Sequence, residues 1–224
     1  MTDRTRRPRS RKDEIPSLAD TSSLREPPST ARGARRRAAL VAAARVVFER
    51  DGYLEARLID ITAQANCSSG SFYTYFASKE EIFQAVLDEA QHDLLHPGLP
   101  HLSAEDSSPA AVIEASNRAY FEAYQRNAKL MLVLDEVAAS DPKFREVRRL
   151  RTRAFADRNA RAIKDLQRRG LADKSLDPQI AARALSSMVS RMAFFSYALE
   201  ENYPLDKLVE TTTKLWVNAL NIAD

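Results

Sequence analysis

Three times beyond residue 100 a residue that caps helices stands directly before a proline: Ser108-Pro109, Asp141-Pro142 and Asp177-Pro178. A short polar side chain accepts from the free amides of a first helical turn, and proline suits the first helical position because its missing N–H needs no partner there. Each pair therefore predicts a helix start, and Pro204 marks a fourth. Gly170 predicts the end of the helix that Asp141-Pro142 opens. On the same signals the first of these helices runs to about Asn127, and a short, very apolar one follows over residues 130–139. Only five of 224 residues are glycine, and Ala, Leu, Arg and Glu are abundant without runs that alternate as strands do. The expected fold class is all-α.

An apolar share of 44% is enough for a core of useful size. The longest uncharged apolar runs, residues 38–44 and 192–199, fall well short of the roughly 20 residues that a bilayer crossing requires, so no membrane segment is expected. No apolar segment follows the basic start before Arg32, and the lone Cys67 has no partner for an internal disulfide. The expected location is cytoplasmic. Residues 1–37 hold eleven Lys/Arg against five Asp/Glu, so the +3 net charge conceals a basic beginning and a net acidic remainder.

The stretch that carries the functional signal is residues 59–79, IDITAQANCSSGSFYTYFASK. Ile59, Ala63 and Ala65 mark a short first helix, Asn66-Cys67-Ser68 breaks it, and residues 69–76 form a second. Phe72 and Phe76 share one face and belong in the core. The remaining groups are hydroxyls and phenols that bond phosphates and base edges, which makes this a candidate recognition helix. Ser69, Ser71, Tyr73 and Thr74 are the candidates near bases. Gly70 lets another backbone approach closely. Ser78-Lys79-Glu80-Glu81 reads as a capping box that starts the next helix, with Ile82, Phe83, Val86 and Leu87 on its apolar face. Lys79 sits on that first turn, beside free amides that suit a phosphate.

Upstream, Leu40, Ala43, Ala44, Val47 and Phe48 form the apolar face of a helix that begins near Ala31 and stops at Gly52. Arg35, Arg36 and Arg37 crowd its first turns, where the helix dipole prefers anions, so their placement has its reason outside the helix. Nearby phosphate is one such reason; a solvated charge cluster is the other. Residues 1–30 are rich in Arg, Ser and Pro without helical period and are expected to be a disordered basic arm, either a solvated tail or a segment that follows DNA through Arg4, Arg6, Arg7 and Arg9.

With those residues in view, the chain resembles the tetracycline-repressor (TetR) family of bacterial transcription regulators. The resemblance rests on Phe48, Gly52-Tyr53, Asp60-Ile61, Ala65, Ser68, Gly70-Ser71, Phe72-Tyr73, Tyr75-Phe76, Ser78-Lys79-Glu80 and Phe83. It implies a three-helix helix-turn-helix DNA-binding domain, a larger helical ligand-binding and dimerisation domain, and a homodimer built largely from the last two long helices. The family usually has Thr and Ser where this chain has Ala56 and Arg57, which removes a hydroxyl N-cap worth about 0.5–2 kcal/mol. Arg57 and Tyr75, the latter in place of a common His, join Lys79 and Arg35–Arg37 as expected phosphate contacts. Cys67, in place of a common Val, is expected to be a small buried side chain. The corresponding division is 1–30 arm, 31–78 DNA-binding domain and 79–224 effector-binding and dimerisation domain.

Residues beyond 100 carry no such signature. Phe121, Tyr124, Met131, Phe155, Met188, Met192 and Phe195 recur at helical spacings and are expected to line a cavity for a bulky apolar effector. Residues 143–169 hold eleven Lys/Arg against three acids. They form either a solvated helix face or, through Arg145, Arg148, Arg149 and Arg153, a landing site for an anionic effector such as an acyl-coenzyme A. His92, His96 and His101 are expected to be surface residues rather than a metal site. There is no Gly-rich phosphate loop, nucleophile elbow or HExxH, so no enzyme and no cofactor is expected. The expected partners are double-stranded operator DNA, a small-molecule effector and a second copy of the chain. The competing reading is a helical scaffold or small-molecule carrier without sequence-specific DNA binding.

Overall fold

The computed structural model describes residues 28–95 and 108–222. The expected arm lies almost wholly outside the described residues, as do His96, His101, the side chain of His92 and the loop expected before Ser108. The described chain is helical without a strand: α1 (Ala31–Glu55), α2 (Leu58–Gln64), α3 (Ser69–Tyr75), α4 (Lys79–Leu95), α5 (Pro109–Ser140), α6 (Pro142–Arg169), α7 (Pro178–Ala193) and α8 (Leu205–Leu220), with a π-helical turn, Phe194–Ala198, closing α7.

The cap-and-proline starts are all present. Ser108 Oγ accepts from the Ala111 amide, Asp141 from Lys143, and Asp177 from Gln179 and Ile180. Gly170 closes α6 in the left-handed region, φ 74° and ψ 18°. One boundary differs from expectation. The segment expected to divide after Asn127 is a single helix of 32 residues, about 48 Å long at 1.5 Å per residue. Asn127 lies in its interior, buried, and its side chain donates from Nδ2 to the Ala123 carbonyl of the preceding turn at 2.8 Å.

α5 is the spine. α1, α4, α6, α7 and α8 all pack against it, and α6 and α7 pair along their lengths. The Arg45 guanidinium on α1 donates to the Arg126 carbonyl on α5 at 2.9 Å. α1 breaks at Gly52, φ 76° and ψ 172°, before a last turn to Glu55; a Cβ there would meet Glu136 Oε2 of α5 at 3.2 Å. The core is continuous from α1 to α8. At its crossing point Tyr53 and Phe83 meet Phe144 of α6 and Phe48 packs on Phe83, with ring centroids 5.0 Å apart for Phe48–Phe83 and 5.4 Å for Phe83–Phe144. No described helix is long and apolar enough to cross a membrane.

Candidate DNA interface and effector cavity

The α2–α3 pair is short and holds its shape by local bonds. Arg57 occupies the N-cap of α2 and makes no side-chain cap, as the missing hydroxyl predicts. Its guanidinium turns instead to Asp60 in a two-pronged ion pair, 2.8 and 3.1 Å, which holds the Asp60 carboxylate below its ordinary pKa. Arg57 therefore meets phosphate only by sharing or leaving Asp60. Ile59, expected to mark this helix, lies in it and is 64% exposed; Ile61 and Thr62 are its buried residues. The turn places Asn66 in the left-handed region, φ 49°, and the Cys67 amide donates to the Thr62 carbonyl at 3.0 Å. The Cys67 side chain is half-buried against the core.

Ser68 caps α3 by accepting from the Ser71 amide at 3.3 Å. Phe72 and Phe76 are fully buried, so the rest of α3 is turned outward. Ser69, Tyr73 and Thr74 are exposed together, with Gly70 among them. Residues 69, 70, 73 and 74 are i, i+1, i+4 and i+5, a single helical face. Thr74 Oγ1 donates back to the Gly70 carbonyl at 3.3 Å. A Cβ on Gly70 would meet only Ser68 Oγ, at 3.9 Å, so nothing within the chain requires glycine there. Ser71 and Tyr75 are half-buried, Tyr75 against the core. Of the α1 arginines, Arg37 reaches the end of this helix, its guanidinium 4.9 Å from the centre of the Phe76 ring, and Arg35 and Arg36 are exposed.

Lys79 departs from its expected role. Its ammonium donates to the carbonyls of Tyr53 at 2.8 Å, Leu54 at 3.2 Å and Ala56 at 3.1 Å, and lies 4.7 Å from the centre of the Tyr53 ring. An ammonium has three N–H groups, and the last carbonyls of a helix have no intrahelical donor. The side chain thus terminates α1 instead of facing phosphate. The capping box is present with one change: Ser78 Oγ accepts from the Glu81 amide at 3.2 Å, while the Glu81 carboxylate accepts from Ala77. Burial, with the Glu80 carboxylate next to it, raises the Tyr53 phenol above its ordinary pKa; Tyr53 donates to Glu80 at 3.1 Å.

Between α5, α6, α7 and α8 lies a cavity of about 420 Å³. Its lining runs along α6 from Arg148 to Leu166, about 27 Å at 1.5 Å per residue, so it is long and narrow. Tyr124, Met131 and Phe155 line it as expected. Phe121, Met188, Met192 and Phe195 do not. Phe121 is one residue, about 100°, away from the cavity-facing Tyr120 and is fully buried in the core. Met188, Met192 and Phe195 share the next face of α7; the face that reaches the cavity is Ser187, Ser190, Arg191 and Phe194. Asn117, Tyr120, Asn159, Phe194 and Trp216 were not expected on the wall; Asn117 and Tyr120 follow from extending the Tyr124 stripe back by i−7 and i−4.

The arginines expected to receive an anion on α6 are engaged elsewhere. Arg145 donates to the Ala138 and Ala139 carbonyls at the end of α5, Arg148 pairs with Asp135 at 3.1 Å, Arg149 with Glu146 at 2.6 Å, and Arg153 lies 3.9 Å from Asp157. Among the described residues no group of His, Cys, Asp and Glu gathers as metal ligands would.

A short helix that turns hydroxyls outward behind an arginine-studded first helix, joined to a larger helical body with a cavity, defines a helix-turn-helix transcription regulator. Residues 40–86 match the family of bacterial regulatory proteins named for tetR, and residues 113–221 match the C-terminal domain of the transcriptional regulator EthR. The chain belongs to the TetR family of transcriptional regulators, which are not enzymes. The HTH-type regulator EthR of Mycolicibacterium smegmatis is 25% identical over 220 residues, covering 96% of this chain and 93% of that protein. EthR of Mycobacterium tuberculosis is 25% identical over 209 residues, with coverage of 91% and 96%. Solved structures share the fold. A TetR-like regulator from a Rhodococcus species superposes with a TM-score of 0.66 at 21% identity, covering 83% of this chain and 96% of that one. GusR of Salmonella enterica gives 0.66 at 19% identity, with coverage of 84% and 96%.

Proposed function

We propose that this regulator is a cytoplasmic homodimeric repressor that binds a pseudo-palindromic operator and is released by a small-molecule effector. The observation that carries the reading is the outward face of α3, where Ser69, Tyr73 and Thr74 surround an unobstructed Gly70; Arg35 and Arg36 of α1 are exposed as well. Ser69, Tyr73 and Thr74 meet base edges, with Ser71 at their margin; Arg35, Arg36 and, once it leaves Asp60, Arg57 meet phosphates, with Tyr75 behind them. Two such faces in one dimer enter successive major grooves about one helical turn apart.

The effector occupies the cavity against Tyr124, Met131 and Phe155, and residues 79–224 act as the responding unit behind a reading head of residues 31–78. Effector binding shifts the population between two dispositions of α4, whose first residue, Lys79, is tied to the end of α1. A gel-shift titration of the full chain against DNA upstream of its own coding sequence tests this. Salt-sensitive, sequence-specific binding supports it; no specific binding there, nor in a random-site selection, removes it.

A further inference from the structure

The cavity wall has two chemistries. α5 and α8 present Ile113, Tyr120, Tyr124, Met131 and Trp216. α6 and α7 continue the apolar wall through Phe155, Ile163, Leu166 and Phe194, and add a polar strip: Ser186, Ser187 and Ser190 of α7 with Arg158, Arg183 and Arg191. Asp135 is the one carboxylate among the described residues of the wall, and Arg148 neutralises it at 3.1 Å. Arg158, Arg183 and Arg191 have no carboxylate partner among the described residues, so three positive charges face one concave space.

Two of the three are held by rings. The Arg158 guanidinium lies 5.1 Å from the centre of the Phe155 ring, and that of Arg191 lies 4.9 Å from Phe194. Stacking fixes a guanidinium plane while leaving its N–H edge for an acceptor. Arg158 keeps accessible surface, yet burial by the surrounding protein, with Arg161 adding repulsion, pulls its pKa below the ordinary arginine value. It is one of the lining residues of the cavity and keeps part of its surface open to solvent. On the opposite side Trp216 is buried, and its indole N–H has no acceptor among the described residues, which offers one donor to a ligand oxygen.

We propose that the cavity binds an amphipathic anion: an unbranched apolar chain that ends in a carboxylate or phosphate group. The anionic end sits against Arg158, Arg183 and Arg191 with the α7 serines, and the chain lies along Tyr124, Met131 and Trp216. This rests on the reading of the cavity as the effector site and names the effector's chemical class. Uncompensated positive charge at the wall of a cleft attracts an anion and rejects a cation, while the apolar wall favours a long hydrocarbon part.

Trp216 is the single tryptophan of the chain and lies on the wall, so its fluorescence reports occupancy directly. The full-length protein, without DNA, is titrated with dodecanoate, dodecyl phosphate, dodecanol and dodecylamine. At least one of the two anions is expected to bind about tenfold or more tighter than dodecanol, the size of one charge-assisted hydrogen bond, with dodecylamine weakest. The anion that binds tighter identifies the head group. The triple variant Arg158→Gln/Arg183→Gln/Arg191→Gln is expected to abolish that preference while still binding dodecanol, which also shows that the variant folds. Equal or tighter binding of dodecanol or dodecylamine, a preference that survives the glutamines, or no emission change with any ligand overturns the proposal. A protein that binds its operator specifically yet fails this test keeps its regulator role and loses the anion site.

Discussion

Lys79 donates to the Tyr53 carbonyl at 2.8 Å while its ammonium lies 4.7 Å from the centre of the same residue's ring. One cation thus closes the end of α1 and anchors the start of α4. Replacing it with methionine leaves three helix-end carbonyls without their donor, at a cost of about 1.5–3 kcal/mol. Urea unfolding is expected to show that loss, while the salt dependence of operator binding keeps its slope. A slope reduced by about two, as loss of one phosphate contact per protomer gives, would show that Lys79 faces DNA after all.

The outward face of α3 and the arginines of α1 divide the work of recognition, and two variants separate them. Thr74→Val removes a hydroxyl from the exposed face. It is expected to relax preference at one operator position in a random-site selection, at about 1–3 kcal/mol for that base pair. Arg35→Gln with Arg36→Gln is expected to weaken all sequences alike and, with two arginines lost from each protomer of the dimer, to lower the salt slope by roughly 3–4. A changed consensus in the arginine variant would reverse the assignment.

Gly52 has φ 76° and ψ 172°, and a Cβ on it would press against Glu136 Oε2 at 3.2 Å. Side chains other than glycine's tolerate that backbone at a cost of about 1–3 kcal/mol. Gly52→Ala is expected to lower the melting temperature, and adding Glu136→Ala is expected to recover only the contact, leaving the backbone cost. Full recovery in the double variant would show that the contact alone was responsible.

Phe144 is 2% exposed and packs its ring 5.4 Å from Phe83 and 6.4 Å from Tyr53, so it joins α6 to the helices behind the reading head. Phe144→Ala is expected to cost about 3–5 kcal/mol in chemical unfolding. Phe144→Leu keeps most of the volume and is expected to recover most of the stability. If alanine costs less than about 1 kcal/mol, the ring is not part of a packed core.

The helix starts were readable in the sequence because capping and proline chemistry act within four residues. The inward phenylalanines of α3 followed from i, i+4 spacing in the same way. The end near Asn127 was misplaced because only the tertiary burial of α5 shows that the helix runs on, with the Asn127 side chain bonding the Ala123 carbonyl in its interior. Lys79 misled as well. The groups that claim it, at Tyr53, Leu54 and Ala56, are more than twenty residues upstream and are brought there by the break at Gly52. The cavity wall was half readable: Tyr124, Met131 and Phe155 share the stripes that face it, but which face of α7 turns inward depends on how α6 and α7 pair, as the Asn159–Ser186 hydrogen bond at 2.8 Å shows.

The uninterrupted α5 has a further consequence. Arg126 and Glu136, which meet α1, and Tyr124, Met131 and Leu134, which line the cavity, are carried on one rigid rod. Their angular phases around it are fixed by residue count alone. Deleting one residue near Leu130 would turn everything beyond it by about 100° relative to what lies before it. The site that senses and the surface that holds the reading head are therefore geared together, and this stretch of chain tolerates changes of side chain far better than changes of length.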